Sequence, residues 1–305
     1  MRRRSAVRLL VVLFTLVAMS LTACGDDDKK TNATGGAPSE TKADGSDTIQ
    51  ITYRDYAYEV SGPLNAGGTI EFENAGKEMH MMYVGKLKAG KTLANVKTLL
   101  ENSEESQDNP LLAVLDEIGI PWNVLTPGVS AAVTAPKLAP GNYAILCFLP
   151  TEGSGEPHFA KGMVNEFKVV DGDVEEPEAD VTYKIAAGKA PDGPKTLKAG
   201  EHTVRFEQVG DAAELEPNIG RLKDGKTFLE IDAQFDSLFS GDKPPPKGAV
   251  AGIPADVFIG GDFLTEPYFF VTMDFVPGNY VILGEDSEDD DDPKPPKELL
   301  EVTVS

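Results

Sequence analysis

Cysteine and histidine are scarce in this chain, with two and three residues among 305. Two cysteines cannot build a disulfide framework. Neither H-E-x-x-H nor G-x-S-x-G occurs, so neither a zinc-protease helix nor a serine-hydrolase elbow is encoded. Positive charge is also short: 28 basic residues face 50 acidic ones, for a net charge of −22. Nucleic acid, which needs a basic surface, is therefore excluded as a partner. Long hydrophobic runs are absent except near the start, where Leu9 to Met19 is too short for a confident membrane span.

That short run has a different meaning. Arg2, Arg3, Arg4 and Arg8 precede it, and it closes on Leu21-Thr22-Ala23-Cys24 followed by Gly25. A basic segment, an apolar core and small residues at the cut form an export signal over residues 1–23. The last four positions resemble a bacterial lipobox, which implies cleavage before Cys24 and lipid on that cysteine. The alternative is an ordinary secretory signal with Cys24 left as a thiol. Residues 24–47, the cysteine and a tract of Asp, Lys, Thr, Gly, Ser and Ala, cannot form a core and read as a flexible tether. The expected location is extracytoplasmic, anchored to the bacterial membrane through Cys24. Removing the signal leaves 24 basic against 50 acidic residues, a net charge of −26. Such charge favours a basic protein partner through electrostatic steering.

Beyond the tether the chain repeats itself. Pro140-Gly-Asn-Tyr-Ala-Ile-Leu146 recurs as Pro277-Gly-Asn-Tyr-Val-Ile-Leu283. Phe72-Glu-Asn-Ala-Gly76 returns as Phe206-Glu-Gln-Val-Gly210, and Gly85-Lys-Leu-Lys-Ala-Gly-Lys-Thr92 as Gly220-Arg-Leu-Lys-Asp-Gly-Lys-Thr227. The matches keep their order at offsets of 134 to 137 residues, too long for a solenoid unit. Two domains are expected, over 48–171 and 180–305, joined by an acidic linker at 172–179. Short apolar or alternating runs such as Thr69 to Glu73, Val129 to Thr134 and Tyr143 to Leu146, set between Gly and Pro, read as strands of a β-sandwich. Leu93, Val96, Leu99 and Leu100 have helical spacing, which predicts a helical insertion from Thr92 to Asn102. A second short helix is expected over Leu111 to Ile118, and its counterpart in the second copy over Thr227 to Phe239.

With Cys24 lipidated, Cys147 has no disulfide partner in an exported protein, and an unpaired cysteine there calls for a role. Two histidines and a methionine accompany it: His80, His158 and Met163. A thiolate, two imidazoles and a weak thioether make the ligand set of a blue-copper electron-transfer centre. Structural zinc fits less well, since it favours a fourth Cys or His. The plainer alternative is two satisfied histidines and a buried inert thiol. Met79, Met81 and Met82 around His80 read as core packing, with a Cu(I) transfer site as the alternative.

The arrangement Asn74-Ala-Gly-Lys-Glu-Met-His80, Pro140-Gly-Asn-Tyr-Ala-Ile-Leu-Cys147 and His158-Phe-Ala-Lys-Gly-Met163 resembles the cupredoxins, the plastocyanin and azurin family. The resemblance covers roughly residues 48–171. It implies a mainly β fold of two tandem Greek-key β-sandwiches, and one type 1 copper held by His80, His158 and Cys147 with Met163 as axial ligand. It departs from the family in spacing, because ten residues separate Cys147 from His158. The intervening Pro150 to Pro157 consists of turn formers that can bulge outward as a partner-facing surface. Copy two lacks the set: Gly284 stands at the place of Cys147, Glu214 and Leu215 near that of His80, and no Met at that of Met163. His202 is expected to be an ordinary surface residue, and the acidic run Glu285 to Asp292 a solvated loop. Copper oxidases and copper nitrite reductases need further clustered histidines, so the chain is expected not to be an enzyme and to have no catalytic residues. One-electron transfer is the leading expectation. The alternatives are a Cu(I) carrier or store and a metal-free binding module.

Overall fold

A computed structural model describes residues 45–102, 110–116, 122–134, 138–210, 215–230, 234, 255–260, 266–286 and 299–305. The proposed signal, Cys24 and most of the tether lie outside the described residues, as does most of the acidic run after Glu285. Among the described residues no helix is long and apolar enough to cross a membrane.

The chain is mostly β. Its first half contains β1 (Ser46–Arg54), β2 (Ala57–Val60), β3 (Leu64–Asn74), β4 (His80–Lys86), β5 (Trp122–Leu125), β6 (Ser130–Thr134), β7 (Gly141–Leu146) and β8 (Val164–Val170). The second half contains β9 (Val181–Ile185), β10 (Thr196–Leu197), β11 (Gly200–Gln208), β12 (Leu215–Leu222), β13 (Ala255–Gly260), β14 (Tyr268–Phe275), β15 (Gly278–Asp286) and β16 (Leu299–Val304). Alternation explains the burial: Ile49, Ile51 and Tyr53 of β1 face inward, as do Leu300, Val302 and Val304 of β16. The inward faces close a β-sandwich around one contiguous apolar cluster drawn from both halves.

The strand pairings of the first half recur in the second. β1 runs parallel to β3, and β9 runs parallel to β11. β3 is antiparallel to β6, as β11 is to β14. β4 and β7 pair with Val84 opposite Ile145, while β12 and β15 pair with Ile219 opposite Ile282. The halves are also stitched together. β13 pairs with β5 from Val257↔Leu125 to Gly260↔Trp122, and β14 pairs with β6 from Phe270↔Thr134 to Thr272↔Ala132. Hydrogen bonding therefore runs unbroken from one half into the other.

Helix α1 (Leu93–Asn102) fills the expected insertion, with Val96 and Leu100 buried. Thr92 caps it, and its amide is accepted by Asn95 Oδ1 at 2.9 Å, the reciprocal half of a capping box. The second expected helix is shorter, a 3₁₀ turn over Pro110–Ala113, because Leu115 leaves it to bridge Leu87. In the second half Thr227 precedes the helical residues 228–230, residue 234 is helical, and the rest of that expected helix lies outside the described residues. Thr227 there gives its amide to Glu230 Oε2 at 2.9 Å.

Gly85 to Thr92 and Gly220 to Thr227 both carry the G-x-x-x-x-G-K-T spacing of a phosphate-binding loop. Neither is built to hold a phosphate. The Lys91 amide is spent on Lys88 O and the Thr92 amide on Asn95, so these donors do not converge on an anion. In the second loop a carboxylate, Glu230, occupies the helix start.

Candidate metal centre

The site grows from two segments brought to one end of the first half. Asn74 closes β3 and is wholly buried; its Nδ2 donates to Glu78 O and Leu125 O, each at 2.8 Å, and its Oδ1 accepts from the Gly76 amide at 3.0 Å. These bonds shape the turn that launches β4 with His80 as its first residue. A Cβ on Gly76 would stand 2.6 Å from Asp55 Oδ1 and 2.9 Å from His80 Nε2, so only glycine admits the contact between those two groups.

Cys147 follows β7 directly. The ten residues between it and His158 are absorbed by a hairpin pinned at its base. Pro150 bridges Pro157, the His158 amide donates to Leu149 O at 2.9 Å, and the Phe159 amide donates to Cys147 O at 2.9 Å. The long loop thus brings Cys147 and His158 back beside each other. Met163 is wholly buried just beyond; its carbonyl accepts from the Cys147 amide at 3.2 Å and its amide donates to His158 O at 3.0 Å.

His80, Cys147 and His158 offer three ligand atoms within 4.8 Å of one another, all buried. His80 Nδ1 lies 3.2 Å from His158 Nδ1, which in turn lies 3.5 Å from Cys147 Sγ. The opposite ring nitrogens face carboxylates: His80 Nε2 is 3.4 Å from Asp55 Oδ1 and His158 Nε2 is 3.2 Å from Glu78 Oε2. The second contact has ion-pair proximity without hydrogen-bond alignment. A carboxylate at Nε2 favours the proton there and leaves Nδ1 as a lone pair, the usual outer support of a metal-bound histidine. Two such lone pairs aimed at each other beside a sulfur repel unless a cation lies among them. The donor set therefore fits a metal ion, and its one soft sulfur and two imidazoles suit copper.

Electrostatics agree. Burial pushes the His158 imidazole down to about 3, with the neighbouring His80 adding to the effect. Burial also lowers His80, against the opposing pull of Asp55. Both rings are neutral, as ligation requires. Burial pushes the Cys147 thiol up to about 12, although the Met81 amide, 3.4 Å from Sγ, helps the thiolate. Without a metal the sulfur keeps its proton, and loading releases it.

One hairpin supplies most of what surrounds these ligands. Asp55 accepts the Lys77 amide at 2.7 Å while facing His80. Tyr56, in the left-handed region at φ 64°, donates to Glu78 Oε1 at 2.9 Å and sets its ring edge-on to His158 at 5.0 Å. Tyr58 reaches the Cys147 and Met81 side of the site. None of Asp55, Tyr56, Tyr58 and Glu78 carries a sequence motif; Glu78, in the turn two residues before His80, is the one of them close in sequence to a candidate ligand. Met79, Met81 and Met82 are buried. Met79 also lines a cleft of about 310 Å³ with Lys77, Glu78, Thr126, Pro127, Pro150 and Glu152. His202 is half-buried rather than exposed, with Nε2 2.9 Å from Lys198 O.

No family model and no curated relative matches the chain. Among solved structures it is similar to a dithionite-reduced auracyanin from Roseiflexus castenholzii, at 24% identity over 42% of this chain and 99% of that one, with a TM-score of 0.28. It is similar as well to auracyanin A, a "blue" copper protein from Chloroflexus aurantiacus, at 18% identity over 40% and 98% of the two chains, TM-score 0.25. A blue copper oxidase from Nitrosomonas europaea matches at 12% identity over 84% and 85%, TM-score 0.23. At these identities and scores the likeness is one of fold alone. An oxidase nevertheless stands among the matches, so the expectation that the chain is not an enzyme, drawn from its histidine count, is withdrawn.

Proposed function

We propose that the chain binds one type 1 copper ion through His80, Cys147 and His158, with Met163 as axial ligand, and transfers single electrons. The observation that carries this reading is the convergence, out of contact with solvent, of two imidazole Nδ1 atoms and one sulfur, with each opposite Nε2 facing a carboxylate. When bound, copper supplies a one-electron Cu(II)/Cu(I) couple. The protein's part is to hold both imidazoles neutral with their protons at Nε2, to release the Cys147 proton on loading, and to keep the ligands still. Strand β4 and the pinned Cys147–His158 hairpin fix the ligands before any metal arrives, so little rearrangement accompanies a change of charge. A Cu(I) carrier is less well supported, because Met81 and Met82 are packed in the core.

The rest of the reading follows from sequence. The two halves are tandem duplicates, with 48–171 holding copper, 172–179 linking and 180–305 serving as structural or docking partner. Cys24 carries lipid and tethers the protein to the outer face of the bacterial membrane, where its acidity favours a basic redox protein.

The test is the visible spectrum of the full chain in detergent, titrated with Cu(II) beside Cys147→Ser. An intense thiolate-to-copper band at one copper per chain, lost in the variant, is the expected result. Folded protein with no such band refutes the reading. Retention of copper against a chelator through repeated oxidation and reduction separates electron transfer from copper delivery.

A further inference from the structure

The Cys147 sulfur has a polar neighbour for which the proposed function gives no role. Tyr58 stands in β2 directly across from Tyr53, their rings edge-on at 5.3 Å, and both are buried. The Tyr58 hydroxyl donates to the Met81 carbonyl and stands beside Cys147. The Met81 amide donates to the same sulfur at 3.4 Å. Tyr58 is held from the other side as well, since its carbonyl accepts from Asn165 Nδ2 at 2.8 Å.

A phenol has one proton, and here two acceptors compete for it. While the sulfur carries its own proton it is a poor acceptor, and the phenol serves the Met81 carbonyl. A thiolate reverses that preference, because a hydrogen bond to an ionised acceptor is roughly twice as strong as one between neutral groups.

We propose that Tyr58 is a positioning residue of the metal centre, whose hydroxyl donates to the Cys147 thiolate in the loaded protein and raises its reduction potential. The inference rests on the type 1 copper reading. A donor on the sulfur draws electron density away from the metal bond. The more highly charged Cu(II) depends more on that density than Cu(I), so the bond disfavours the oxidised state.

The test compares Tyr58→Phe with Tyr53→Phe in the full chain. Each removes one buried hydroxyl, but that of Tyr53 goes to Asn123 Oδ1 at 2.8 Å and not to sulfur. In Tyr58→Phe the thiolate-to-copper band is expected at longer wavelength, and the affinity ratio of Cu(II) over Cu(I) about tenfold higher, a fall of about 59 mV in potential. Tyr53→Phe leaves both close to the parent. Equal shifts in the two variants, or none in Tyr58→Phe, overturn the proposal. If Tyr58→Phe does not fold, a ring-fluorinated tyrosine at position 58 keeps the shape and strengthens the donor: the potential then rises, and an unchanged potential overturns the proposal. A parent protein with no thiolate band overturns the copper reading and this inference with it. A parent with the band and an inert Tyr58 overturns this inference alone.

Discussion

Residues 46–170 and 181–304 use the same strand pairings to opposite ends. Where the first half places His80, the register of β12 against β15 places Leu215; where Cys147 follows β7, Gly284 follows Leu283. Ile185 takes the place of Tyr53, each lying at the end of the strand parallel to β3 or β11. These three residues lie close together. A Cβ on Gly284 would come 2.6 Å from Ile185 Cγ2, with Leu215 Cδ1 at 4.0 Å. Among the described residues the buried polar side chains divide accordingly: Asn74, His80, Asn123, Thr134 and His158 in the first half, Asn218 in the second. The scaffold does not require the site. One half places polar groups in its interior, and the other places packing at the equivalent positions.

The comparison is broken most forcefully through the core. Phe72 of β3 and Phe206 of β11 hold equivalent, fully buried places. Truncation of either to Ala is expected to cost about 3–5 kcal/mol. Because β13 extends β5 and β14 extends β6, the two losses should appear in a single unfolding transition. Phe206→Ala should also weaken copper retention, since β13 holds β5, and β5 pairs Leu125 with His80. Denaturant melts with fluorescence and copper absorbance recorded together are the measurement. Two separate transitions, with the copper signal indifferent to Phe206→Ala, would make the halves independent.

How much of this could be read in the sequence follows the same division. His80, Cys147 and His158 stand out because their residue types are rare in this chain and their landmarks repeat without them. Asp55, Tyr56, Tyr58 and Glu78 do not, because carboxylates and tyrosines are common, and the first three reach the site on a hairpin 22 or more residues before the groups they contact. The strands of the repeat were legible from alternation. The union of the halves was not: Trp122 to Leu125 is four residues with no alternating pattern, and its pairing with β13 spans more than 130 positions. The phosphate-loop spacing shows the converse. A motif that fits in letters is emptied by a capping side chain only the structure reveals.

Acidity offers a gentler probe. In the metal-free protein His158 titrates at about 3 instead of its usual 6.5, because burial opposes its charge. Between those values the unfolded chain takes up a proton that the folded one refuses, so stability is full above about pH 6.5 and falls as pH drops toward 3. By pH 5 the loss attributable to this group is of order 2 kcal/mol. No buried histidine exists among the described residues of the second half, so the dependence belongs to the first. Denaturation midpoints at pH 7.5 and pH 5 in the presence of a chelator, compared with those of a His80→Leu, His158→Leu double variant, isolate it, since all carboxylates are common to both. An equally steep fall in the double variant would assign the dependence elsewhere.

The same double variant gives the smallest and most pointed test at pH 7.5. It makes the first half resemble the second, which already carries Leu215 at the place of His80. Copper binding should vanish. Removing both members of a buried polar pair in favour of apolar groups of similar size is close to neutral or stabilising, so the metal-free protein should gain about 1 kcal/mol or remain as it was. The carboxylates left behind are not stranded. Asp55 keeps the Lys77 and Glu78 amides, Glu78 keeps the Tyr56 hydroxyl, and their side chains are 34% and 42% exposed. A gain would mean that the metal-free first half gives up stability to keep its buried imidazoles and thiol ready, while the second half, with Leu215 and Gly284 at the places of His80 and Cys147, does not. A loss of several kcal/mol would mean that the imidazoles are structural members in their own right, and that the two halves differ in architecture as well as in chemistry.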